Sequence, residues 1–312
     1  MTEETYSGIV TLRGGTTNIY GPTAVGNRPV INIAEKSSRP DVFPGNGSGA
    51  DVGVITVIPE EARAVRRALS LKPDVKNGLS FDLGTVRAGG RTVTIAALQA
   101  LSQGEDPAVS AFTRMREYFN PKIMVLTGIA GGIHLGVHLG DVVIATRVIY
   151  YDLRKETPER ILRRGQERQA PAEIGHAVNR FFTDHGEPAY ITSQIIGTTD
   201  KIRVIGGPIG SGNAVIAHRD SEIVKYLLAF NDKILAVDME SGGLSQAHHG
   251  LPAGQRPWGW LVIRGISDHA DKSKNDDYHH VAASNAATVL RELIPYLPVS
   301  LTYGLPSVRQ HF

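Results

Sequence analysis

Cysteine is absent from the 312 residues. No disulfide framework, thiolate nucleophile or Cys-ligated zinc can therefore operate, and the composition fits a reducing compartment. A surplus of one charge is missing too: 33 Lys and Arg stand against 31 Asp and Glu, a formal +2. The bulk balance thus calls for neither nucleic acid nor an anionic membrane as partner. No apolar run reaches the ~18 residues of a bilayer span. The opening Met-Thr-Glu-Glu-Thr is acidic with no apolar stretch behind it, so no secretory leader is expected and the chain reads as cytoplasmic.

Several catalytic signatures are missing as well. Gly207 to Asn213 is glycine-rich but lacks the Gly-Lys-Ser/Thr of a Walker loop, and Gly128 to Gly132 lacks the dinucleotide-binding spacing. There is no Gly-x-Ser-x-Gly elbow, and the adjacent Ser267, Asp268 and His269 cannot form a serine relay. The pairs His248-His249 and His279-His280 lack the i, i+4 spacing of a zinc helix and are expected at the surface. Neither a cofactor nor a metal is anticipated.

With 41% apolar residues the chain can bury a large core. Residues 1–50 differ from the rest, being rich in Gly, Asn, Pro, Thr and Ser without helical period, and of these 1–36 form an N-terminal segment. They contain two β-prone pieces, Asn18 to Tyr20 and Val30 to Ile33, whose low charge suits pairing between chains. Residues 37–50 carry three Gly and two Pro and read as a flexible linker. The whole N-terminal segment is expected to be disordered. Residues 51–297 form the candidate catalytic domain, and 298–312 a tail.

Inside that domain strands and helices alternate. Val52 to Ile58 reads as a buried strand, followed by a helix from Pro59 with acids in its first turn. A hairpin is expected at Phe81 to Ala88 and Arg91 to Leu98, turning on Gly89-Gly90, then a helix from Asp106 to Tyr118. Strands are expected at Ile123 to Leu126, Val142 to Tyr150, Gln194 to Ile196, Arg203 to Ile209, Ile234 to Val237 and around Leu261. Helices are expected at Ala172 to Asp184, Asp220 to Phe230 and Tyr278 to Leu293, while residues 151–171, with six basic and four acidic residues, read as a solvated excursion. The pattern predicts an α/β three-layer sandwich around a mixed, mostly parallel sheet. Polar groups gather at four strand ends: Glu60 with Glu61, the glycines from Gly128 to Gly132, Asp238 with Glu240, and Ser267 with Asp268. Acids at three strand ends beside a glycine loop form a convergent polar site of the kind enzymes use.

Five segments, Thr127-Gly-Ile-Ala-Gly-Gly132, Leu139-Gly-Asp-Val-Val-Ile-Ala145, Ser211-Gly-Asn-Ala-Val-Ile216, Val237-Asp-Met-Glu240 and Val262-Ile-Arg-Gly-Ile-Ser-Asp268, occur in the order and spacing of the nucleoside phosphorylase superfamily. The chain resembles most the methylthioadenosine/S-adenosylhomocysteine nucleosidases and related domains of immune effector proteins. That resemblance implies hydrolysis of the N-glycosidic bond of a purine nucleoside or nucleotide. It assigns Glu61 to water activation and Asp268 to protonation of the departing base, helped by Ser267. Met239 and Glu240 would hold the ribose, Ala130 and Gly131 would line ribose and base, and the backbone at Val215 and Ile216 would meet the base edge. Val57-Ile-Pro-Glu-Glu61 stands where phosphorylases carry a phosphate loop, which favours water over phosphate.

The departures are Ile129, Val215 and Asp238, where the family often carries Ser, an aromatic and Glu. Arg63, Arg203 and Arg219 could meet 5' phosphates or be solvated arginines. The resemblance also implies a homo-oligomer. The segment around Asn18 to Ile33 resembles amyloid-signalling motifs, implying a receptor partner, an NTPase with a matching motif. A phosphorylase and a non-catalytic nucleoside-sensing scaffold remain the alternatives.

Overall fold

The computed structural model describes residues 9–12, 15–18, 49–193, 201–216, 218–269 and 278–299. The chain divides into two units, Met1–Val42 and Phe43–Phe312. In the first, β1 (Ile9–Leu12) pairs antiparallel with β2 (Gly15–Asn18), Leu12 opposite Gly15. This hairpin lies just before the β-prone pieces read from the sequence. Apart from Asn18, those pieces and most of the linker fall outside the described residues.

The second unit opens with β3 (Val52–Thr56), α1 (Pro59–Ala68), β4 (Lys72–Lys76), β5 (Leu79–Ala88), β6 (Arg91–Gln99) and α2 (Glu105–Phe119). Next come β7 (Ile123–Gly132), β8 (Val142–Ala145), β9 (Arg147–Tyr150), β10 (Arg154–Glu156), β11 (Ile161–Arg163), β12 (Gln166–Gln169) and α3 (Ala172–His185). Then follow β13 (Ala189–Thr192), β14 (Lys201–Gly206), β15 (Ile209–Ser211), α4 (Glu222–Phe230), β16 (Ala236–Asp238), α5 (Ser241–His249), β17 (Gly259–Asp268) and α6 (His279–Leu293). Thirteen of these strands join one mixed sheet, whose longest register, β17 on β7, is parallel. The architecture is the expected α/β arrangement.

Side-chain alternation on β17 sets up the layers. Gly259 and Gly265 share one face, where a Cβ would meet Ile174 of α3 and Ala282 of α6. Arg264 points the other way. Trp260, Leu261, Val262, Ile263 and Ile266 are fully buried, as a strand covered on both faces requires. The β5–β6 turn uses Gly89 and Gly90 at φ 55° and 77°, the left-handed pair that a tight hairpin needs.

The strands β4 and β13 and the helix α5 have no counterpart in the sequence reading, and three stretches that it does assign differ. Val142 to Tyr150 is two strands: β8 pairs with β17 and β14, and β9 leaves at Thr146 to join β15 and β12. Residues 151–171 hold the β10–β11 hairpin and the edge strand β12, because charged side chains tolerate an exposed edge as readily as a loop. The span from Arg203 to Ile209 also splits, into β14 and the start of β15. Gln194 to Ile196 lies outside the described residues.

Candidate active site

The site forms where the sheet forks. One edge of β7 pairs with β17 along nearly its whole length. Its other edge is shared: β3 holds Ile123 to Leu126, and β16 holds Gly131 and Gly132. Between them, Thr127 to Ala130 have left one partner and not yet met the next. Such a divergence at strand ends is where α/β sheets open a crevice, and the backbone groups freed there need other partners.

Glu61 supplies one. It lies in the first turn of α1, behind Pro59, and its Oε2 accepts from the amides of Val57 and Ile58 at 2.6 and 3.2 Å. Its Oε1 reaches across the fork to the Ile129 amide at 2.9 Å. Only 2% of Glu61 is exposed, and burial raises its pKa against the opposing pull of Arg264 and these amides. Glu60 instead turns outward and pairs with Arg63.

Arg264 is the buried cation behind the site, 1% exposed. Its Nε donates to Asp238 Oδ2 at 2.8 Å, its Nη2 to Glu240 Oε2 at 2.8 Å, and its Nη1 lies 3.8 Å from Glu61 Oε1. Burial alone would lower the Arg264 pKa, but these three carboxylates more than reverse that. Burial likewise pushes Glu240 up to about 7, opposed by Arg264. Glu240 Oε1 also accepts from the Gly104 amide at 3.1 Å. Asp238 collects further donors from the Ser241 amide and hydroxyl and from Ser211 Oγ.

At the other end, β17 carries a bulge between Ile266 and Asp268. Such an irregularity re-aims the side chains that follow it. Ser267 Oγ donates to Asp268 Oδ2 at 3.0 Å and lies 3.4 Å from the Ala130 carbonyl. Both residues are buried, at 3% and 6% exposure.

All of these surround a cavity of about 290 Å³, near the lower end of small-molecule clefts, about 300–1,000 Å³. Every residue that the sequence assigns to catalysis or substrate binding lines it: Glu61, Ala130, Gly131, Val215, Ile216, Met239, Glu240, Ser267 and Asp268. Asp238, which the sequence places with Glu240 among the polar strand ends, lines it too, as do Gln103 and His279, which the sequence does not mark as ligand-binding residues. Arg264 reads from the sequence only as part of a buried strand. The signal that could have found it is a cation inside an apolar run, which demands buried carboxylate partners.

The expectation that both histidine pairs lie at the surface holds for His249 and His280, which are exposed, and is corrected for their neighbours. His248 is 2% exposed, its Nε2 2.9 Å from the Pro257 carbonyl, because α5 turns that face into the core. His279 is half-buried in the cavity wall. Arg203 is committed to Asp141 at 2.7 Å and to the Gly136 carbonyl, and Arg219 leans on the His269 carbonyl at 3.4 Å. None of Arg63, Arg203 and Arg219 lines the cavity. Among the described residues no cluster of His, Asp and Glu is disposed to hold a metal.

The family profile described as "Phosphorylase superfamily" matches residues 51–295. A 5'-methylthioadenosine/S-adenosylhomocysteine nucleosidase of Mycobacterium bovis is 28% identical over 263 residues, covering 80% of this chain and 97% of that protein. The ATP nucleosidase Cap17 of Escherichia coli is 25% identical over 268 residues, covering 78% of this chain. The match spans only half the length of Cap17, 50%. Among solved structures, a methylthioadenosine/S-adenosylhomocysteine nucleosidase of Colwellia psychrerythraea in complex with adenine superposes with a TM-score of 0.61 at 21% identity, covering 80% of this chain and 96% of that one.

Proposed function

The chain belongs to the phosphorylase superfamily, and from that premise we propose that it hydrolyses the N-glycosidic bond of a purine nucleoside or nucleotide. The observation that carries this reading is the convergence of Glu61, Glu240 and Asp268, from three separate strand ends, on one small cavity. Breaking the bond between sugar C1' and base N9 builds positive charge on the sugar and negative charge on the base. The reaction therefore needs an acid at the base, negative charge near the sugar and a positioned water. Asp268, in its protonated form and held by Ser267, gives its proton to N7. Glu61 takes a proton from the water whose oxygen bonds to C1'. Glu240, fixed by Arg264, accepts the ribose hydroxyls beside Met239, and Ala130, Gly131, Val215 and Ile216 flank ribose and base.

Water is favoured over phosphate by the same geometry. The Val57 and Ile58 amides, which could cradle an anion, are already taken by Glu61. Arg264 is committed to three carboxylates, and among the described residues the lining carries four acids but no Lys or Arg. A phosphate dianion would meet like charge there.

The similarity to an ATP nucleosidase supports nucleotides among the substrates, and a role as an immune effector is part of the same proposal. The N-terminal segment, low in charge and rich in Asn, serves in this reading as an assembly motif for a receptor partner, and the catalytic unit as part of a homo-oligomer. The test gives the purified full chain adenosine, methylthioadenosine, S-adenosylhomocysteine, AMP, ATP and inosine, with and without phosphate, and follows released base by chromatography. Release without phosphate is expected. Release only with phosphate makes the enzyme a phosphorylase, and none from any substrate favours the sensing scaffold.

A further inference from the structure

Behind the cavity, outside its lining, sits a carboxyl that the proposed chemistry does not use. Glu105 is the first residue of α2 and is 7% exposed. Its Oε1 lies 2.8 Å from Ser211 Oγ, and Ser211 Oγ lies 2.8 Å from Asp238 Oδ1. The same hydroxyl accepts the Gly242 amide at 2.9 Å. A serine hydroxyl has one hydrogen and two lone pairs. It cannot donate to two carboxylates at once, and two oxygens at 2.8 Å without a hydrogen between them repel. One of the two carboxyls must therefore hold a proton and donate it to Ser211.

The remaining contacts decide which. Asp238 is met by donors on both oxygens: the Ser241 amide at 3.2 Å on Oδ1, and Arg264 Nε at 2.8 Å with the Ser241 hydroxyl on Oδ2. That is the environment of an ionised carboxylate. Glu105 has no guanidinium bonded to it: besides Ser211 Oγ, the Gly243 amide is the donor that reaches its carboxyl among the described residues, a costly place for negative charge and a tolerable one for a neutral acid. The groups facing it are Asp238 and Glu240 near the end of β16, Tyr150 and Tyr151 at the end of β9, and Arg168 on β12. Burial, reinforced by Asp238 and Glu240, pushes the Glu105 carboxyl up to about 8.

We propose that Glu105 carries a resident proton and donates it to Ser211 Oγ, which commits the serine hydrogen to Asp238 and so fixes the Asp238–Arg264–Glu240 array behind the ribose. Glu105 is thus a positioning residue. Ionising it leaves two carboxylates competing for one serine hydrogen, and the array loosens. The idea rests on the nucleosidase reading only for its kinetic readout.

The experiment compares the full-length wild type, Glu105→Gln and Glu105→Ala in base release from pH 6 to 9.5. A further readout is the infrared carbonyl stretch of protonated carboxylic acids. Wild-type kcat is expected to fall as pH rises through about 8. Glu105→Gln, whose amide can donate to Ser211 without titrating, should lose that alkaline fall and stay within about threefold of wild type at pH 7, while Glu105→Ala should lose about tenfold or more. The wild-type infrared spectrum should show one acid carbonyl that disappears through the same pH range and is missing in Glu105→Gln. An alkaline fall and infrared band that persist unchanged in Glu105→Gln would overturn the proposal. If the wild type releases no base, the nucleosidase reading fails, and the infrared comparison alone decides for or against the proton on Glu105.

Discussion

At the level of single residues, the site is a problem of storing charge out of water. Removing an ion from water costs several kcal/mol even after relaxation, and here four acids, Glu61, Glu105, Asp238 and Glu240, lie buried around Arg264. One guanidinium cannot neutralise four carboxylates. Resident protons and backbone amides must do the rest, which fits the upward shifts of Glu61, Glu105 and Glu240. Space is as limiting as charge: a Cβ on Gly128 would strike Glu61 Oε1 and the Arg264 guanidinium. Gly128→Ala should therefore displace the base by a sizeable fraction of an ångström and lower kcat about 100-fold with the circular dichroism of the fold retained. Wild-type kcat in that variant would contradict the placement of Glu61. Glu61, Glu240 and Asp268 are legible in the sequence because each follows a strand, and a polar group at a strand end stands out. Arg264 and Glu105 are not. Arg264 hides inside an apolar run, and Glu105 passes for an ordinary acid in the first turn of a helix, where the macrodipole welcomes it.

Among the elements, glycine decides how closely helices approach the site. A Cβ on Gly242 or Gly243 would meet Glu105, its carboxyl in one case and its carbonyl in the other, so α5 can lie on α2 only because both positions lack one. Gly243→Ala should push the two helices apart, costing about 1–3 kcal/mol in urea unfolding and raising KM, since Glu240 stands at the head of α5 and Gly104 at the head of α2. Unchanged stability and KM would mean that the contact is slack. The same pair explains why α5 is not evident from the sequence: Ser241-Gly-Gly243 is a poor helix start by propensity, and tertiary packing overrides it. The break of β8 from β9 at Thr146 is equally hidden, because both halves are apolar and only their partners differ. By contrast, the β5–β6 hairpin and β17 are plain, the one from its paired glycines and the other from a long apolar run.

For the molecule as a whole, buried acids with raised pKa values tie stability to pH. Each binds its proton more tightly folded than unfolded, so its contribution is fully present below the unfolded pKa and is lost as pH rises through the folded one. For Glu240 and Glu105 the folded values are about 7 and about 8. The melting temperature should therefore decline from about pH 5 to about pH 8 and level off above that, and Glu105→Gln should flatten that decline; identical curves for the two proteins would count against a titrating Glu105. Catalysis has a matching acid limit. Glu61 and Glu240 must be ionised to work, so kcat/KM should fall as pH drops below about 7 rather than near the usual carboxylate value.

Whether Asp268 protonates a leaving purine is decided by the rate of base release from Asp268→Asn in phosphate-free buffer. The amide keeps the shape and can still accept from Ser267, but has no acidic proton to transfer to N7. A folded variant slowed by about 10²–10⁴-fold is the expected result. A folded variant releasing base at the wild-type rate would mean that Asp268 is not the acid, and the proposed chemistry would fall with it.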